Sequence, residues 1–320
     1  MFKRGKRMAL PMAAAVALLA AAAACDLTEV RTEPGDDVVV VEAVLRTDFQ
    51  RQQVLLHRAV QGAFAGGVTA AEVVVEGPNG ARHRFVQDVG CYRIDPGYAA
   101  SDSLDFHGTC YANLASDTGW VKPGGTYDLT VTTADGRVIR GRTHLAGDFV
   151  VRNLPPPLLG ANEPVCSIPP DSTLPLVWTR AAGTASYVSD LRITGLRSAF
   201  AGKGLSVPEP LELRGLSVSE TDTTIVLPTE FGLFERLTLD TELLTAIAGG
   251  FPENVQMELV VSAADINWVN SVRGGNFNPS GLIRISTVAG DGVGVFGSLV
   301  VKHAAIVVRR RTAIPRCLLP

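Results

Sequence analysis

Hydrophobic and polar positions alternate in short runs along most of the chain, and turn residues separate the runs. Thr126–Thr133 (TYDLTVTT) alternates with period two, which puts every second side chain on one face of a strand. Val38–Leu45 (VVVVEAVL) is continuously apolar in its first half, and this predicts a strand buried there on both faces. Gln53–Val60, Ala71–Val75, Arg82–Gln87, Cys110–Leu114 and Arg137–Leu145 read as further strands. Pro78-Asn79-Gly80 lies between two of them, and Asn-Gly tolerates the positive φ of a tight hairpin turn. Gly62–Gly67 and Gly97–Gly108 read as loops, and Asp135-Gly136 as a turn. Short strands separated by turn signals at this spacing predict a β-sandwich over residues 37–152.

The same pattern predicts a second β-sandwich over residues 176–320. Its strands are expected near Leu174–Trp178, Tyr187–Thr194, Pro210–Leu213, Thr223–Leu227, Val255–Ser262, Gly281–Thr287 and Val295–Val308. One helical insertion is expected in Phe231–Gly250, where Leu239, Leu243, Leu244 and Ile247 recur at helical spacing ahead of Gly249 and Pro252. Asn267–Ser280 reads as a loop. Between the two halves, residues 153–175 hold seven of the chain's 19 prolines. Proline fixes φ and lacks an N–H, so this stretch is expected to be an extended connector and not a central strand. The fold class is therefore mainly β, with two sandwiches in tandem and one short helix in the second.

The first residues change where such a fold is expected to reside. Lys3, Arg4, Lys6 and Arg7 precede the apolar run Met12–Ala24, and Cys25 follows. A basic segment, a short apolar core and small residues make a secretory signal over residues 1–24. The run is shorter than the ~20 residues that cross a bilayer. Ala22-Ala23-Ala24-Cys25 resembles the lipobox of bacterial lipoproteins, in which that Cys is acylated, and residues 25–36 then read as a tether. The expected location is the cell envelope, at the outer membrane, with the membrane reached through the lipid.

Charge and cysteine content narrow the chemistry. The chain carries 29 Lys and Arg against 32 Asp and Glu, a formal net charge of −3, so no electrostatic footprint for nucleic acid is present. Arg309-Arg310-Arg311 reads as a solvated strand end. Beyond Cys25 there are Cys91, Cys110, Cys166 and Cys317, and in an exported chain these favour disulfides. Of the three pairings, Cys91–Cys110 with Cys166–Cys317 keeps each bond inside one expected sandwich. A zinc site lacks the Cys-x-x-Cys or paired-His spacing it needs. The chain has no His-Glu-x-x-His, no Gly-x-Ser-x-Gly, no phosphate loop and no EF-hand sequence, so no metal or cofactor is expected.

Two loops are the candidate binding sites. Gly97–Gly108 carries Asp102, Asp105 and His107, and Asn267–Ser280 carries Trp268, Arg273, Asn276 and Phe277. The second mixes an aromatic anchor, a cation and amides, a composition suited to a polar ligand or a partner surface. Trp120 and Trp268 fit core packing better than sugar stacking, and Trp178 is expected in the core. Two functions follow from these residues. One is a non-catalytic binding or accessory module whose partner is an envelope protein or polysaccharide. The other is an exported hydrolase with a site near Asp102, Asp105 and His107.

The block VKPGGTYDLTVTTADGRVIRGRT resembles immunoglobulin-like modules of exported bacterial proteins. LPLVW followed by Tyr187 resembles the fibronectin-type-III pattern of a core Trp and a strand-opening Tyr. Together with the lipobox and the DGVGVFGS segment (Gly292, Gly294, Phe296, Gly297), they resemble an uncharacterised family of two-domain lipoproteins. That family is common in Bacteroidota and is often encoded near TonB-dependent transporters. The family's Asn-rich lead into the glycine segment is replaced here by Ile285-Ser286-Thr287. The resemblance implies an accessory role in nutrient uptake at the outer membrane.

Overall fold

The structure is a computed structural model, and it describes residues 37–60, 63–89, 108–154, 166–217, 221–231, 241–273 and 285–317. The first half contributes β1 (Asp37–Arg46), β2 (Gln53–Val60), β3 (Ala63–Gly67), β4 (Glu72–Glu76), β5 (Arg82–Asp88), β6 (Thr109–Asn113), β7 (Thr126–Thr132) and β8 (Val138–His144). The second half contributes β9 (Cys166–Ile168), β10 (Leu174–Val177), β11 (Ser186–Thr194), β12 (Leu211–Leu216), β13 (Thr224–Leu227), β14 (Gln256–Ala264), β15 (Val288–Gly290) and β16 (Gly292–Val308). The helices are α1 (Leu196–Ala199), α2 (Thr241–Ile247) and α3 (Ile266–Arg273). The fold is mainly β and sandwich-like, as the alternating pattern required.

Fourteen strands form one sheet, twelve of them along the path β12-β11-β14-β16-β1-β2-β6-β5-β4-β7-β8-β15, with β3 added to β2 and β9 to β16. β10 and β13 form a separate pair. β1 runs parallel to β16, Val39 beside Gly292 and Arg46 beside Leu299, while the lower half of β16 pairs antiparallel with β14. The path therefore crosses the expected boundary between the halves through one 17-residue strand. It also curls back on itself. A Cβ on Gly141 of β8 would stand 2.9 Å from Phe296 Cβ on β16, so the two strands stack face to face at that glycine.

Period-two burial is realised in β7, where Tyr127, Leu129 and Val131 are buried, and in β4, where Val73 and Val75 are. Three tyrosine hydroxyls tie strands to neighbouring loops. Tyr127 accepts the Lys122 N–H at 2.8 Å and donates to Trp120 O at 3.1 Å, the bond pattern of a tyrosine corner. Tyr187 accepts the Ala181 N–H at 2.7 Å and packs 5.2 Å from Trp178, which is buried as expected. Tyr111 donates to Val68 O at 2.9 Å. The Pro-Asn-Gly hairpin forms, with Asn79 at φ 63° and Gly80 at φ 74°.

Several expectations are corrected. β1 alternates in its first half and is buried on both faces in its second, the reverse of the hydropathy reading, because Ala43–Arg46 lies between neighbouring layers. The loop expected at Gly62–Gly67 contains β3, which pairs with β2 through a bulge. Within the connector expected over residues 153–175, Cys166–Ile168 and Leu174 onward are strands, and Pro175 sits in a two-stranded pair where its missing N–H is tolerated. Asn153 also fastens this stretch, its side chain bonding Pro175 O and the Val177 N–H. There are three α-helices among the described residues where one was expected.

Candidate functional site

Helix α3 replaces part of the expected Asn267–Ser280 loop. Asp265 is its N-cap: the Asp265 Oδ1 accepts the Trp268 N–H at 2.8 Å, and Val269 N–H closes the first helical bond on Asp265 O at 3.2 Å. The Asp before an apolar, helix-spaced Ile266, Val269 and Val272, with Gly274-Gly275 beyond, was a readable helix signal. Its proximity to a strand-rich region concealed it. Trp268 points inward and is 4 % exposed, packed with Val44, Val188, Leu299 and Val301. It is therefore a core residue, as the expected core packing of this Trp required, and the correction falls on its place in a binding loop: once Asp265 fixes the helix phase, residue 268 faces the sheet.

Arg273 is the last residue of α3. Asn276 and Phe277, like Cys25, Cys91, Asp102, Asp105 and His107, lie outside the described residues. Cys166 and Cys317 form the expected disulfide, 4.9 Å apart at Cα and 151 residues apart in sequence. Cys110 is disulfide-bonded as well.

The densest polar arrangement among the described residues is the junction around Asp265. Oδ1 also accepts the Ser298 N–H at 3.1 Å, and Oδ2 accepts the Thr143 hydroxyl at 2.5 Å. Thr143 Oγ1 lies 2.7 Å from Ser298 Oγ. Asn267 Nδ2 donates to Arg142 O at 2.7 Å and to Phe296 O at 2.9 Å. One short segment thus fastens β8 of the first half to β16 of the second. Asp265 is 3 % exposed. Burial pushes its carboxyl above the ordinary carboxylate range, opposed in part by the hydrogen bonds from Thr143, Trp268 N–H and Ser298. This carboxyl is sealed from solvent and takes three intramolecular donors, so it faces the frame and not a substrate. Its chemistry is that of a structural latch.

The glycine segment belongs to the same junction. A Cβ on Gly294, at φ 136°, would fall 1.9 Å from Val41 O, and one on Gly297 would fall 2.9 Å from Trp268 N. These glycines admit close approach of backbone to backbone.

Two histidine–carboxylate pairs stand elsewhere. His303 Nε2 is 2.7 Å from Asp48 Oδ2, which also receives Arg46 at 2.7 Å. Burial would raise the Asp48 pKa, but the bonds from His303 and Arg46 outweigh it and bring it down to about 2. His83 Nδ1 is 2.6 Å from Asp117 Oδ2, and its ring stacks on Trp120 at 3.9 Å. A shallow polar face on β4 and β7 is lined by Glu72, Glu76, Asp128 and Arg82. Among the described residues no group of three His, Cys, Asp or Glu side chains converges as a metal site, and no helix is long and apolar enough to cross a membrane.

No protein-family model matches the chain. No curated sequence matches it either. Among solved structures it is similar to a DUF4785 family protein from Legionella pneumophila, at 12% identity and a TM-score of 0.22, over 70% of this chain and 51% of that one. It is also similar to trypsin-activated alpha-2-macroglobulin from Escherichia coli, at 13% identity and a TM-score of 0.20, over 76% of this chain and 16% of that one. Scores this low carry no argument about function, and the fold assignment rests on the sheet itself.

Proposed function

We propose that the protein is an exported, lipid-anchored component of the cell envelope and acts there as a non-catalytic binding or accessory module, in the setting of outer-membrane nutrient uptake. The observation that carries the reading is the Cys166–Cys317 disulfide, which closes a 151-residue separation in a chain that opens with a basic, apolar, Cys-terminated leader. Such bonds persist in oxidising compartments. The non-catalytic part is supported by how the described polar clusters are used. Asp265 caps a helix, and Asp48 and Asp117 each hold a histidine within the frame. The membrane partner is reached through Cys25, since stable attachment takes more than one acyl chain and bacterial lipoproteins carry several. The remaining partner is an envelope protein or polysaccharide met by Asp102, Asp105 and His107 and by Asn276 and Phe277.

Detergent-phase partitioning of wild type against Cys25→Ser tests the anchor. Wild type should enter the detergent phase and the variant the aqueous phase; equal aqueous release of both refutes anchoring. Cross-linking in whole envelopes, with wild type against an Asn276→Ala, Phe277→Ala double variant, tests the binding loop. Loss of a specific cross-linked species in the variant is expected. Hydrolysis of a glycan or peptide panel that disappears on His107→Ala would overturn the non-catalytic reading.

A further inference from the structure

The segment after β16 concentrates positive charge in a chain that is otherwise acidic. Residues 25–320 carry 25 Lys and Arg against 32 Asp and Glu, since Lys3, Arg4, Lys6 and Arg7 all precede them. Against that background, Arg309, Arg310, Arg311 and Arg316 fall within eight residues, and all four are exposed. Ion pairs among the described residues involve other arginines, such as Arg46, Arg137 and Arg214, and none of these four. Glu253 does reach the segment, but its carboxylate accepts the Arg310 backbone N–H at 3.2 Å.

The segment is held rigid. Arg309 N–H bonds Ile168 O at 3.0 Å, Ser167 N–H bonds Pro315 O at 2.8 Å, and Cys317 N–H bonds Ser167 O at 3.0 Å. The Cys166–Cys317 disulfide closes its base. Arg316 clamps the turn from within, with Nη1 on Arg309 O and Nη2 on Arg310 O, each at 2.6 Å. Between the arginines the turn presents exposed Ala313 and Pro315 and half-buried Ile314. The loop therefore holds the backbone that carries Arg309, Arg310 and Arg311 beside a small apolar tip, with the ordering cost of that backbone already met by folding.

We propose that this loop is a docking surface for an anionic bilayer. Guanidinium forks match headgroup phosphates bidentately, and the Ala-Ile-Pro tip suits the interfacial layer beside them. A nucleic acid would call for stacking side chains or a groove-filling element, and the described residues of this loop offer none. The inference goes beyond the lipid anchor and does not depend on it.

The test uses the full exported chain with Cys25→Ser, so that no acyl chain contributes. Co-sedimentation is measured with phosphatidylcholine vesicles and with vesicles containing about one-third phosphatidylglycerol. Binding to the anionic vesicles, weakened by salt, is expected, with little to the neutral ones. The triple variant Arg309→Gln, Arg310→Gln, Arg311→Gln should lose about fivefold in partitioning per arginine removed, roughly a hundredfold in all. The control triple Arg82→Gln, Arg84→Gln, Arg140→Gln removes as many exposed arginines elsewhere and should change it less than about threefold. Unchanged thermal melts show that both variants are folded. Equal losses in the two triples, equal binding to neutral vesicles, or binding to soluble polyphosphate without binding to vesicles would each overturn the proposal. Failure here leaves the detergent partitioning of the acylated wild type unaffected.

Discussion

Replacing Asp265 separates a structural latch from an ordinary buried acid. Asp265→Ala removes the acceptor of two backbone N–H groups, those of Trp268 and Ser298, in a site that is 3 % exposed. Each orphaned buried donor costs about 1–3 kcal/mol, so the variant should lose about 2–6 kcal/mol of stability. The Thr143 hydroxyl adds little to this, because Ser298 Oγ at 2.7 Å can still receive it. Asp265→Asn behaves differently. Its carbonyl oxygen can keep both N–H bonds, while its amide donates to Thr143 Oγ1, and the expected cost near neutrality is under about 1 kcal/mol. The pH dependence adds a sign. The folded-state pKa of Asp265 is raised by burial. Proton-linked stability is therefore fully present below the unfolded value and is lost as pH rises through the folded one. Asn carries no such loss, so the gap between the two proteins should move in favour of Asn as pH rises above the unfolded value of about 4. Urea unfolding followed by tryptophan fluorescence and circular dichroism measures all three proteins. A cost below about 1 kcal/mol for Ala, equal costs for Ala and Asn, or a gap moving the other way would refute the latch.

Asp48→Asn tests the opposite sign: its folded pKa of about 2 lies below the ordinary carboxyl value of 3.8, so wild type holds about 2 kcal/mol above the unfolded value and loses it as pH falls through about 2. Acid unfolding curves should show the variant flatter in this range, and parallel curves would count against the His303 and Arg46 bonds. Gly294→Ala should fail to fold or lose more than about 3 kcal/mol, since its Cβ would meet Val41 O at 1.9 Å with φ at 136°. Gly119→Ala, also at positive φ but with open space around it, should lose only about 1 kcal/mol, and equal melting shifts for the two would contradict the β1–β16 contact. Cys166→Ala with Cys317→Ala should lower stability by up to about 5 kcal/mol in the loop-entropy view, read as a fall in denaturant midpoint; an unchanged midpoint would show that the bond does not constrain the unfolded chain.

Local pattern determined a good deal of this protein. Alternation set the buried faces of β4 and β7, Asn79-Gly80 set the hairpin between β4 and β5, and the tyrosine in the Gly-Gly-Thr-Tyr block set a strand-opening corner. Those features depend on residues within a turn or two of one another, where period, propensity and φ preference act directly. The pairing of Cys166 with Cys317 was also legible, because each cysteine falls at one end of the second half. Tertiary structure alone decided what joins the halves. The parallel pairing of β1 with β16 connects positions about 250 residues apart, and a strand's apolar run does not say which edge it will meet. The two-sided burial at Ala43–Arg46 follows from that placement, as does the need for glycine at 294 and 297. Trp268 shows the same division: its side chain marked it as an anchor for something, and only the Asp265 cap, held by Thr143 and Ser298 from two distant strands, decided that the something was the protein's own core.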